Sequence, residues 1–385
     1  MEGKLKNMVF SKNTLIELAV ILIPLYFYPK TTLFILLCTE GYSLFNDYLK
    51  SRSNNLLQSN PNYTMKAVEY SCTEKGKFEM NENCEIPKYS SNEVLIQVKG
   101  AAINPVDYKV IIPFIPFVRL FLSHTVGRDV SGIVLATGSS VTKFKPGDEI
   151  YGNSKSGSLA EYCVCNSDQI AKKSNKLSFT ESASIALAGG TSLQSLKYFG
   201  KLEGKNVLII GASGGCGSLG IQIAKALGAR KVTGVCSKNN SEFVKSLGAD
   251  QIVDYTDPDF LTKLENSNEK FDLIYDTVTS PEDSNQEEIF KRFLSKDGNL
   301  VAINGYPSDW FKAFVSKIYN IERSNYHLLL LNWNTSDLDL MSNFSNDNKL
   351  KVEIAETFKL DVNQVGLAFE KLKGRRTRGK ICFEI

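Results

Sequence analysis

Residues 207–229, VLIIGASGGCGSLGIQIAKALGA, set five glycines between four apolar residues and a run with helical apolar spacing. Such a turn suits phosphate chemistry for three reasons. The chain must reverse tightly, the backbone must meet a pyrophosphate with no side chain between, and the helix must pack close to the strand. The anion then faces free amides at a helix N-terminus, where the dipole favours negative charge. The best register is Ala212-x-Gly214-Gly215-x-Gly217, with Ala212 where the first glycine of the fingerprint would stand. Ser213 adds a hydroxyl, and Cys216 lies between the last two glycines. A glycine cluster alone is a weak signal. A strand before it, a helix after it and a second strand beyond make it a nucleotide-binding turn.

The second strand ends VTGVCSKNN. Dinucleotide folds that take NAD place Asp or Glu there for the ribose 2′-hydroxyl. This chain has Ser237 and Lys238. A hydroxyl and an ammonium suit a 2′-phosphate through charge-assisted hydrogen bonds, so the expected cofactor is NADPH. The competing reading is a solvated lysine beside a loop serine.

The elements that position this turn are legible in outline. From about Met65 to Asn175 the chain alternates in short β-branched runs, MKAVEY and EVLIQVKGAAIN among them, separated by Gly, Pro and Asp turns. From Thr180 onward, apolar strands (NVLII, KVTGVC, QIVDY, FDLIYD, GNLVAI) alternate with helical stretches such as SEFVKSLG and EEIFKRFLS. That alternation predicts an α/β fold with a parallel sheet covered on both faces. The segment FKLDVNQVGLAFEKLKGRRTRGKICFEI reads as a helix and a final strand.

Composition narrows the class. A chain of 385 residues with 43% apolar residues can build a sizeable core. A net charge of +3, from 45 basic and 42 acidic residues, gives no case for nucleic acid. Eight cysteines without a CxxC pair read as free thiols of a reducing compartment. Residues 19–38, AVILIPLYFYPKTTLFILLC, approach the length of a bilayer span but are broken by Pro24, Pro29 and Lys30. A spanning anchor, a hairpin in one leaflet, an uncleaved organelle-targeting extension and a buried core helix all stay open. The catalytic part is expected in the cytosol or an organelle interior, mitochondrial included, where reduced cofactor is available.

Taken in order, AAINPVDYK, VGRDVSGIV, FKPGDEIYG, GSLAEY, ALAGGTSLQSL, VLIIGASGGCG, VCS, LGADQIVDY and the terminal RGK resemble the zinc-independent, quinone oxidoreductase-like branch of the medium-chain dehydrogenase/reductases. The resemblance runs from about Met65 to Ile385. It implies a GroES-like β domain (61–185), a doubly wound Rossmann domain (186–335) and a C-terminal return to the first domain (336–385), after an N-terminal segment and linker (1–60). It implies Thr191 near the nicotinamide, Tyr255 near the adenosine, Gly379 and Lys380 closing onto the cofactor, and pairing of two copies at the Rossmann sheet edge. Alternatives weighed are a helix N-cap for Thr191, strand-end packing for Tyr255 and a solvated charge for Lys380.

Zinc-dependent relatives carry Cys and His where this chain has Asn104 and Arg128, and only His124 and His327 exist in the whole sequence. A zinc site needs three or four nitrogen and sulfur ligands, so zinc is not expected. The expected reaction is hydride transfer to a hydrophobic quinone or α,β-unsaturated carbonyl. Without a metal, hydrogen-bond donors must hold the developing negative oxygen. Asn104, Tyr108 and Arg128 are the candidates, against plain structural roles in a turn and an ion pair. The apolar loop 113–124 is a pocket wall, a membrane-facing patch or a segment packed on its own core. A short-chain dehydrogenase needs a Tyr-x-x-x-Lys pair after the glycine turn; Tyr26–Lys30 and Tyr151–Lys155 both precede it. A non-catalytic, membrane-associated NADPH-binding scaffold is the alternative, and a zinc alcohol dehydrogenase the third reading.

Overall fold

A computed structural model describes residues 64–71, 77–108, 125–278, 286–304 and 325–385. Residues 19–38 and the loop 113–124 lie outside these. Among the described residues no helix is long and apolar enough to cross a membrane.

The first part of the chain is β-structure. Strands β1 (Thr64–Tyr70) and β2 (Phe78–Glu85) form an antiparallel pair. Strands β3 (Glu93–Ile103), β4 (Asp129–Thr137), β5 (Glu149–Asn153), β6 (Tyr162–Asn166) and β7 (Ile170–Lys172) belong to one larger sheet. β3 is its spine: Val94, Ile96 and Val98 point into one buried cluster, and Ala101 and Ile103 into another. The alternation seen in the sequence is this two-sided burial.

Helix α1 (Phe179–Lys197) joins the two halves. Ser178 and Glu181 close both ends of a capping box at its start. Its buried face is built from small residues, so it can lie close to β3 and β4 on one side and to the helix after the glycine turn on the other. A side chain at Gly100 would meet the backbone of Phe179 at 2.7 Å. The division at 185/186 falls inside this helix.

The second sheet is parallel, in the order β10-β9-β8-β11-β12-β13. Its strands are β8 (Asn206–Ile210), β9 (Lys231–Cys236), β10 (Gln251–Asp254), β11 (Phe271–Asp276), β12 (Leu294–Ala302) and β13 (Tyr326–Leu328). Order reverses beside β8, which is where such sheets bind ligands at their carboxyl edge. Helices α2 (Gly215–Ala226), α3 (Ser241–Ser246), α4 (Phe260–Asn266) and α5 (Gln286–Lys291) follow their strands. One sequence expectation changes here. EEIFKRFLS is helical only to Lys291, and β12 begins at Leu294. The Phe271 amide donates to the Phe293 carbonyl, and Phe293 and Leu294 are buried in the core of that sheet, so tertiary pairing ends the helix early.

After helix α6 (Thr335–Asn346) the chain returns to the first sheet. Strand β14 (Ile354–Lys359), helix α7 (Val362–Lys373) and strand β15 (Lys380–Glu384) complete it, with β15 between β14 and β3. This return carries Gly379 and Lys380 to the glycine turn.

Candidate active site

The glycine turn is built as its residue types require. Gly211 leaves β8 with φ +78°, and a side chain there would strike Val278 at 2.3 Å. Gly214 is the N-cap of α2 and supplies no side chain to the first-turn amides. A Cβ at Gly217 would lie 2.2 Å from the Gly211 carbonyl oxygen, so only glycine lets the helix sit this close to the strand end. The uncapped amides and the bare backbone fit a bound pyrophosphate. Ser192 on α1 lies 2.9 Å from the Cys216 carbonyl oxygen and 3.1 Å from the Tyr275 hydroxyl, which fixes α1 against α2. Thr191 is buried inside α1, whose N-cap is Ser178.

Beyond β9, Ser237 precedes a short 3₁₀ turn that opens with the exposed Lys238. Asn240 Nδ2 lies 3.2 Å from both Ser213 Oγ and Ser237 Oγ, so one amide ties the glycine turn to the loop expected to hold the 2′-phosphate. Asp254, at the end of β10, is held below the usual carboxylate range by the Thr256 hydroxyl and by the Thr256 and Lys238 amides. Tyr255 is exposed, and its amide donates to the Cys236 carbonyl.

The returning segment closes the other side. Gly379 has φ +76°, donates its amide to the Ser213 carbonyl at 3.0 Å and pairs with Gly214. Arg378 lies over the Phe243 ring, 4.0 Å from its centre, and pairs with Glu353. The stem of Lys380 packs where a Gly215 side chain would be, at 2.8 Å.

The Lys380 ammonium turns toward the β module. It is 5% exposed and donates to the Ile103 carbonyl at 3.2 Å and to Asn104 Oδ1, with Asp129 at 3.5 Å. Asn104 Nδ2 donates to Asp129 Oδ2 at 2.8 Å. The other Asp129 oxygen accepts the Leu187 amide of α1. Burial raises the Asp129 carboxyl, while Lys380, Asn104 and Leu187 pull it down. Asp107 accepts the Asn104 amide at 2.7 Å, but its second oxygen is buried without a partner. Burial pushes this carboxyl up to about 7.

The other two expected donors differ. Tyr108 is half-buried, and burial raises its phenol against the pull of Arg375 and Lys373. Arg128 is engaged structurally: its Nε donates to Asn153 Oδ1 at 3.1 Å. Asn104 and Lys380 thus come together, and burial raises the Cys216 thiol against the pull of Lys380. Sequence reasoning missed Asp107, Asp129, Asn240 and Arg378. Both aspartates lie inside motifs it quoted, but no spacing indicated that they meet. Among the described residues no group of three or more His, Cys, Asp or Glu side chains could hold a metal ion.

Fold and turn together define a dinucleotide-binding scaffold joined to a β module. The sequence matches the alcohol dehydrogenase GroES-like domain family over residues 90–175 and the zinc-binding dehydrogenase family over residues 247–382. It is 31% identical to the trans-enoyl reductase pgmF of Aspergillus terreus, over 84% of this chain and 96% of that one. It is 31% identical to the mitochondrial NAD(P)H oxidoreductase RTN4IP1 of Danio rerio, over 76% and 84%. Identity to the 2-methylene-furan-3-one reductase of Solanum lycopersicum is 36%, over 63% of this chain and only 62% of that relative. Among solved structures, the quinone oxidoreductase from Coxiella burnetii aligns with TM-score 0.71 and 29% identity, over 83% of this chain and 99% of that one. The chain belongs to the medium-chain dehydrogenase/reductase superfamily, within its quinone oxidoreductase-like group.

Proposed function

We propose that this protein reduces a hydrophobic quinone or α,β-unsaturated carbonyl with NADPH and without zinc. The observation that carries the reading is the closed glycine turn. Uncapped amides of α2 face an edge sealed by Gly379, beside the buried Asn104. The names of the relatives support the substrate class: enone, enoyl and quinone reductases recur among them.

Bound NADPH would supply the hydride. The chain's own work is to bind, orient and stabilise charge. Gly214, Gly215, Cys216, Gly217 and Ser213 hold the pyrophosphate. Ser237 and Lys238 hold the 2′-phosphate, and Asn240 keeps their loop against the turn. Tyr255 borders the adenosine, Thr191 the nicotinamide, and Gly379 shuts the edge. Asn104 donates to the substrate oxygen that becomes negative, with Tyr108 at the mouth. Arg128 serves through its bond to Asn153 as a support. In zinc relatives the metal polarises that oxygen; here Asn104 and Arg128 replace the usual Cys and His. The organelle-targeted relative supports placement inside an organelle, with residues 19–38 as anchor or address. Two copies pair at an edge of the six-stranded sheet.

The test is consumption of NADPH by the full chain against a panel of quinones and enones, with NADH in parallel. Turnover is expected with NADPH above NADH. Tight NADPH binding with no turnover across the panel would overturn the reading.

A further inference from the structure

Asn104 is clamped at both ends of its amide. Oδ1 accepts from the Lys380 ammonium, and Nδ2 donates to the Asp129 carboxylate. The Lys380 ammonium fixes which end is which, because it only donates. Nδ2 has two N–H groups, and one is used on Asp129. The second has no protein acceptor among the described residues. The group is set in a nearly dry place: Asn104 is 3% exposed, Lys380 5% and Asp129 0%. A cation on the amide oxygen draws electrons from the nitrogen, and hydrogen bonds in a chain strengthen one another in a low dielectric. The free N–H is therefore a better donor than that of an unclamped asparagine, and its direction is fixed in advance.

We propose that Lys380 and Asp129 are positioning residues that act through Asn104, polarising and aiming its free N–H at the substrate oxygen that carries negative charge. This rests on the reductase reading above. It gives the buried pair a reason to exist, since a buried ion pair is weak evidence for stability on its own. It also explains why the Lys380 stem lies on Gly215. The residue that aims the donor is braced against the nucleotide turn, so donor and cofactor keep a common frame.

The test uses 4-nitrophenol as a stand-in for the negative oxygen, read by its absorbance as phenolate or phenol in complex with the full chain and NADPH. The wild type is expected to bind the phenolate in preference to the phenol. Asn104→Ala should lose that preference. Lys380→Met, measured at saturating NADPH, should lower it about tenfold. Removing the cation alone strands a buried carboxylate, so the double variant Lys380→Met/Asp129→Asn is measured beside it. The same loss is expected there with the melting temperature retained. Wild-type preference in both lysine variants, with Asn104→Ala impaired, would overturn the positioning role, as would an unaltered Asn104→Ala. Enone turnover is scored separately. Its absence with the phenolate preference intact in the wild type and lost in the variants supports the positioning pair and overturns only the reductase reading.

Discussion

Asp107 sits fully buried with one carboxylate oxygen bonded to the Asn104 amide and the other unpartnered, and its pKa is pushed up to about 7 by burial. The folded protein therefore holds a proton that the unfolded chain releases near its ordinary value of 3.8. Its contribution to stability is complete below about pH 4 and is lost as pH rises through about 7. The full loss is of order 4 kcal/mol. Asp107→Asn keeps an acceptor for the Asn104 amide and removes the titration. Thermal melts of wild type and variant from pH 4 to 8 should diverge, with the wild type declining relative to the variant. At the other end of the site, Lys238 is exposed and its backbone amide is engaged by Asp254, which leaves the ammonium for a ligand. Lys238→Ala should weaken NADPH binding about tenfold, the scale of one charge-assisted bond, and leave NADH unchanged in titration calorimetry.

At the scale of the element, the glycine turn and α2 were legible because phosphate binding restricts residue type at fixed offsets. Gly217 shows why: its Cβ would sit 2.2 Å from the Gly211 carbonyl oxygen. Gly217→Ala must push α2 off β8, at about 1–3 kcal/mol for overpacking. Melting temperature and NADPH affinity should fall together. The apolar strands β8, β9 and β11 and the last residues of β12 were legible because both faces are covered there. The end of α5 was not, because it is set by the pairing of Phe293 with Phe271 and not by local propensity. The buried cluster was legible only in part. Asn104 and Lys380 were picked from motifs, but Asp129 joins them through strand register and α1 packing. Asn240 stands in VTGVCSKNN with nothing in its spacing to mark it, yet its amide reaches both serines.

In the whole molecule, one covalent path visits the site three times. β3 and β4 bring Asn104 and Asp129, β8 and α2 bring the glycines, and β15 brings Lys380 back between them. β15 is an interior strand, hydrogen-bonded to β3 on one side and β14 on the other. Ile381 and Phe383 lie in the same buried cluster as Val68 and Phe369. Removing residues 380–385 should abolish the cooperative thermal transition and nucleotide binding together, whereas a tail that merely covered the cofactor would leave the fold intact.

The proposed reaction delivers hydride from NADPH bound at this turn to carbon of an unsaturated carbonyl or to a quinone. The most direct measurement is transfer of deuterium from NADPH labelled at its transferable position to carbon of an enone, followed by the mass of the reduced enone made by the full chain. One deuterium per product molecule, with NADPH strongly preferred over NADH, is the predicted result. Unlabelled reduced enone, or no product from any enone or quinone despite saturating NADPH, would contradict it.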